Sequence, residues 1–199
     1  MKKTIMSLAV VSALLSGSAM AALTNGQADN SASTATLNFS GKVTSTLCQV
    51  NTSDMGKTIQ LGEASLSGLN GGGQSPFISF DVGLVNCDPS VSDISYVLSD
   101  SNGSPVSGAT TSDYLVPKST STSASGVGVY IADSEHNPIS IGGNKTLNVI
   151  KDASGALSQQ TIPLVAYMKA VGGRATAGTV DATGVMTIKA TAAAAGATP

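Results

Sequence analysis

A chain of 199 residues that is 41% hydrophobic can build one domain around a real core and is short for two. Only 11% of it is charged, against 22 glycines, 29 serines and 20 threonines. That balance excludes a mostly helical protein, since the charged helix formers are scarce, and so much apolar content excludes general disorder. A formal charge of −2 leaves no basic face, and hence no phosphate attraction, for nucleic acid.

Lys2 and Lys3 precede an apolar run from Ile5 to Leu15, then Ser16-Gly17-Ser18 and Ala19-Met20-Ala21. Basic start, apolar run and A-x-A ending predict a secretory signal over 1–21, cut between Ala21 and Ala22. The run is too short to anchor in a bilayer, and nothing later approaches the needed length, so no transmembrane segment is expected. Removing 1–21 leaves 178 residues and, with two bases and no acids lost, a charge of −4.

Leu37, Phe39, Val43 and Leu47 then share one parity with polar residues between, a period-two strand or a pair broken at Gly41. Thr58 to Leu61 predicts a short strand, and Gly68 to Ser75 a glycine-rich loop. Phe77 to Cys87 alternates and ends at a turn, Asn86-Cys87-Asp88-Pro89. Ile94 to Leu98 is a further strand closed by Asp100-Ser101-Asn102-Gly103. Residues 101–126 are mostly loop, with one possible short strand at Tyr114-Leu115-Val116. Val127, Val129 and Ile131 alternate before the turn Asp133 to Pro138. Leu147 to Ile150, Ile162 to Val171 and Val180 to Ala190 complete about eight short strands between turn signals, the pattern of an all-β sandwich.

Cys48 and Cys87 are the only thiols. An even count in an exported chain predicts one disulfide. Redox chemistry is not expected without C-x-x-C, nor a structural metal with His136 the sole histidine. No catalytic residue, metal or cofactor is assigned. G-x-S-x-G, a P-loop and a dinucleotide fingerprint are missing, and His136 is expected as a turn residue rather than a general base. Asp100, Asn102 and Gly103 carry only a faint echo of a calcium loop. Sequons, among them those beginning at Asn51, Asn102 and Asn144, occur as chance supplies in such a chain.

The run Leu37-Asn38-Phe39-Ser40-Gly41-Lys42-Val43 followed by Cys48 resembles the first strand of chaperone–usher pilins of the type 1 fimbrial kind. Ile59-Gln60-Leu61-Gly62, the stretch from Phe77 to Asp88, Gly126 to Ile131, Ile162 to Tyr167, and Gly178 with Met186-Thr187-Ile188 resemble later strands of that family in the same order. The likeness covers about 36–190. It implies an immunoglobulin-like sandwich lacking its last strand, completed first by a periplasmic chaperone and then, at an outer-membrane usher, by the N-terminal extension of the next subunit. Such head-to-tail addition builds a fibre that supports cell adhesion. On this resemblance 22–35 is the donor extension, with Ala22, Leu23, Gly26, Ala28 and Ala32 as its apolar or small positions. Residues 36–190 are the pilin domain. Val180, Ala182, Gly184, Met186, Ile188 and Ala190 line the groove that receives a donor, and 191–199 is an Ala-rich tail. The implied partners are other pilin subunits, in a homopolymer or mixed fibre, with the chaperone and usher. The implied destination, reached through the periplasm, is a surface fimbrium. The alternative is a stand-alone secreted carbohydrate-binding sandwich, disfavoured by the absence of Trp and by only four Tyr and three Phe. A small secreted hydrolase would need a nucleophile–base pair, which is missing.

Overall fold

Strand β3, Val91–Asp100, carries the centre of one sheet because its apolar residues face inward on both sides of a bulge. Val91 and Ile94 have opposite parity, yet both are buried, because the register shifts between Val91 and Asp93. In this computed structural model, which describes residues 47–103 and 109–193, β3 lies between β5, Asn144–Leu147, and β9, Gly184–Ala192. The facing sheet runs in the order β1, Gln49–Val50; β2, Ile78–Val85; β8, Gln160–Ala170; β4, Val127–Asp133. The strand pairings within both sheets are antiparallel. Leu84, Val129, Ile131, Ile162 and Leu164 from one layer meet Ile94, Tyr96 and Leu98 from the other, with Leu115, Ile139 and Ile141 closing the sides. The result is the expected two-layer β-sandwich.

Cys48 is bonded to Cys87. The register Gln49↔Val85 and Val50↔Leu84 alone would set Cys48 opposite Asn86. The chain shifts by one residue at Asn86, which lies in the left-handed region at φ 54°, and beyond it the Asp88 N–H donates to the Leu47 carbonyl at 2.8 Å, which brings Cys87 beside Cys48.

Several elements differ from expectation. Residues 58–61 run without ladder partners among the described residues, so the predicted second strand is absent as a strand. Leu115 makes a single bridge to Val129 in place of a strand at 114–116. The strand expected at 147–150 sits earlier, at 144–147. The closing strand spans Gly184–Ala192 rather than 180–190. Residues 179–181 bond instead to the Ser/Thr loop, with Ala124 N–H on Thr179 O at 2.9 Å and Lys118 N–H on Asp181 O at 2.7 Å. A helix, α1, Leu66–Asn70, capped by Ser65, overlaps the start of the predicted glycine-rich loop. It buries Leu69 against Val127, Met168 and Ala175. Two short strands, β6, Lys151–Asp152, and β7, Gly155–Ala156, pair as a hairpin. Buried Gln160 holds the segments flanking it, accepting from Ile150 N–H at 2.8 Å and donating to the carbonyls of Ile150 and Leu157 at 2.8 and 3.0 Å.

The signal, the 22–35 extension, the strand expected from Leu37 up to Thr46, and the tail from 194 lie outside the described residues. Among the described residues no helix is long and apolar enough to cross a membrane.

The disulfide closes a segment of 39 residues. Replacing both cysteines by serine is expected to lower the unfolding free energy by about 4 kcal/mol, by removing loop-closure entropy from the unfolded chain. Urea denaturation of the two forms measures this; coincident midpoints would show that the bond adds nothing.

Candidate assembly groove

Strand β9 pairs with β3 over nine registered positions, from Asp100↔Gly184 to Val91↔Ala192. Residues directly opposite in an antiparallel pair share a face. Leu98, Tyr96 and Ile94 point into the core, so Met186, Ile188 and Ala190 opposite them do too. Their burial nevertheless differs. The β3 residues are at most 7% exposed, whereas all three on β9 are only half-buried. The cause is position: β9 stands at the sheet's edge, with no strand beyond it among the described residues.

Val180 and Ala182 continue the same parity before the strand starts, half-buried against the same core. Gly184 lies between them and Met186. A Cβ there would stand 3.2 Å from Leu115 Cδ1, so glycine lets the backbone lie close over buried Leu115. Of the six positions named from the sequence, five are half-buried against the core and Gly184 is exposed, and only Met186, Ile188 and Ala190 sit opposite core residues of β3 within the ladder.

Leu47, Val50, Ile59 and Leu61 are also half-buried against this core, from the other sheet's edge and the 57–61 stretch. That stretch alternates exposed Thr58 and Gln60 with inward Ile59 and Leu61, like a strand, but without ladder bonds among the described residues. Upstream it is tied down. The Gly83 N–H donates to Asp54 Oδ2 at 2.7 Å, and Asn51 N–H to Gly83 O at 2.8 Å. Lys57 Nζ meets Asp54 Oδ1 at 2.9 Å and donates to Asp81 O at 2.7 Å. The Gly83 N–H bond first, then Lys57, holds the Asp54 carboxyl below the usual carboxylate range, and Asp54 pushes the Lys57 ammonium up.

His136 occupies its expected turn, in the left-handed region at φ 65°. The turn is built by Asp133, whose carboxylate accepts from the backbone N–H of Glu135 and Asn137 at 3.0 and 2.9 Å. The Asp100 carboxylate likewise accepts from Asn102 and Val116 N–H, both at 2.9 Å, which makes it a turn-former.

One arrangement was missed from sequence. Phe77, His136, Tyr167, Tyr130 and Tyr114 form a continuous ring stripe on the outer face of the four-stranded sheet, with centroids 4.1 to 5.4 Å apart. The register Tyr130↔Tyr167 creates it, and no one-dimensional pattern links residues so far apart. Gly128 is required beneath it, since a Cβ there would lie 2.6 Å from the Tyr114 ring. Much of each inner ring's face is spent on its neighbour, and Tyr167 is 7% exposed. Tyr130 and Tyr167 of the stripe therefore pack on Ala132 and Val165 rather than offering a flat platform to a sugar.

Burial pushes the phenols of Tyr96, Tyr130 and Tyr167 up. The folded state then holds these protons more tightly than the unfolded chain. Their contribution is present below the ordinary phenol value of about 10 and is lost as pH rises through the raised folded values. Absorbance titration at alkaline pH, run beside denaturant midpoints, is expected to show phenol ionisation and loss of stability rising together above that value. Ordinary ionisation of all four tyrosines without unfolding would contradict the burial.

The fimbrial protein family matches residues 37–190. Fimbrial protein 987P of Escherichia coli is 46% identical over 195 residues, 95% of this chain and 96% of that protein. The type-1 fimbrial protein C chain of Escherichia coli is 35% identical, over 67% of this chain and 71% of its own length. A type-1 fimbrial protein subunit of Serratia marcescens is 28% identical over 95% and 99%. Among solved structures, a chain from a chaperone–usher pilus studied for rod uncoiling superposes with a TM-score of 0.58 at 21% identity, covering 80% of this chain and 96% of that one. The P pilus rod subunit PapA gives 0.55 at 18%, covering 73% and 100%. These two are alike in fold.

Proposed function

Because the chain belongs to the fimbrial protein family and is a structural subunit of a surface pilus, we propose that it polymerises head-to-tail by donor-strand exchange. The observation that carries this reading is the half-buried inward face of β9, Met186, Ile188 and Ala190, on an edge with no further strand among the described residues. Each large side chain left half-covered forgoes roughly 1 kcal/mol of burial. An edge of this kind is also a template for pairing with another chain. A strand laid between β9 and residues 57–61 supplies both the missing cover and the missing ladder.

In this reading the domain is 36–190 and the donor is the extension at 22–35 of a neighbouring subunit, freed when the signal is cut between Ala21 and Ala22. A periplasmic chaperone protects the groove before the usher exchanges it. Val180, Ala182, Gly184, Met186, Ile188 and Ala190 face the donor. Contacts between subunits are heterologous and need not close, which gives a fibre.

Deletion of 22–34 is expected to leave the fold and the disulfide intact yet abolish SDS-resistant ladders when the chain is assembled with chaperone and usher. Ile188→Asp, which places a charge in the groove, is expected to have the same effect. Ladders of equal length from the deleted and intact chains would remove the donor role of 22–34.

A further inference from the structure

The wall formed by residues 57–61 poses a physical problem. Ile59 and Leu61 are apolar, half-buried, and held by no ladder among the described residues. Met186 and Ile188 of β9 pack half-buried against the same core. Left to the hydrophobic effect alone, the two apolar lines would close on each other. A donor strand needs the opposite. It must pair at about 4.8 Å from each neighbour, so the wall has to stay roughly 10 Å from β9.

The stretch has the means to move. Gly56 and Gly62 bracket it, at φ 79° and 71°, conformations that glycine adopts without strain, and no heavy atom beyond their chain neighbours lies within 4 Å of a Cβ built at either. Downstream it is fixed by α1, whose Leu69 is buried. Upstream the tie is electrostatic: Lys57 joins the Asp54 carboxylate and the Asp81 carbonyl, while Asp54 holds the Gly83 N–H of β2. The Asp54 side chain is 9% exposed, so this pair is better sheltered from solvent than an ordinary surface ion pair. It ties the wall to the sheet that does not contain β9.

We infer that Asp54 and Lys57 are positioning residues, a clasp that holds the free wall away from β9 and thereby keeps the groove open to an incoming strand. The inference rests on the donor-strand reading above and adds residues outside the groove to it. Loosening the clasp lets the wall swing in between its two glycines and cover Met186 and Ile188. Strand uptake must then wait for the wall to reopen. The effect is on rate, and the fold built on β2, β3, β8 and the disulfide is left in place.

The test uses the oxidised mature chain and a fluorescent synthetic peptide of sequence 22–35, with uptake followed by anisotropy. Asp54→Asn and Lys57→Met are expected to slow uptake at least tenfold with the far-ultraviolet spectrum and the Cys48–Cys87 bond unchanged. Lys57→Arg, which still reaches both oxygens, is expected to restore most of the rate. A loss of fold alone would not be rescued selectively in this way. If Asp54→Asn unfolds, Lys57→Met decides, since it leaves the Asp54–Gly83 bond in place. Wild-type uptake rates in Lys57→Met overturn the inference. A wild-type chain that takes up no peptide overturns the donor-strand reading itself, and the clasp with it.

Discussion

Much of what distinguishes this sandwich follows from β9 being paired on one side only among the described residues. A strand whose side chains alternate inward has to be covered on its inner face and bonded along both edges to be fully stable. Here the ladder to β3 is long and regular, and it fixes Met186, Ile188 and Ala190 in the core direction. Among the described residues the cover stops there, so this stretch of the core is left half-covered.

The outer face of the opposite sheet meets the same need internally. Ala132 and Val165 point away from the core, yet they are 0% and 4% exposed, because Tyr130 and Tyr167 of the ring stripe pack with them. That outer face is covered by the chain's own side chains, whereas the inward face of β9 is only half-covered among the described residues. Cys48–Cys87 adds to this division. It fastens the start of the described chain to the end of β2, at the edge of the sealed sheet, close to the Gly83 anchor of the 51–57 loop.

Much of this was legible in sequence wherever one face alternates. β2, β4, β8 and the later part of β9 sit within a few residues of their expected places. Ile94 marked β3 well, but its true start at Val91 was hidden by the bulge that reverses parity at Ser92 and Asp93. Val180 and Ala182 kept the right parity while lying outside the strand, because parity reports the inward face and not the hydrogen-bond partner. The stretch Thr58–Leu61 reads as a strand for a related reason: its side chains alternate as if paired, and the pairing is what the described chain lacks. The helix at Leu66–Asn70 was masked by Gly68 and Gly71, since its burial of Leu69 is a tertiary gain that local propensity does not record. The clasp was invisible too, for Asp54 and Gly83 meet across 29 positions.

The composition of the two partners in the proposed exchange sets how the bond between them works. In the extension, Leu23 shares its parity with Asn25, Gln27 and Asp29, whereas Ala22, Gly26, Ala28 and Ala32 occupy the other. Turning the first set inward would bury a carboxylate without a partner, at a cost no single leucine recovers. The small-residue face is thus the one that can enter a groove, with Leu23 left to the margin. Small side chains bring little apolar area, but they let the donor backbone sit deep, against a line that itself thins to Ala182 and Gly184 above Leu115. Adhesion of this kind rests mainly on ladder bonds, each worth about 1 kcal/mol net, added in series along β9 and the wall opposite. Such a ladder depends on two rails held at the right spacing more than on any one pocket. That places the burden on the geometry of residues 57–61, and so on the ion pair and backbone bond that hold them.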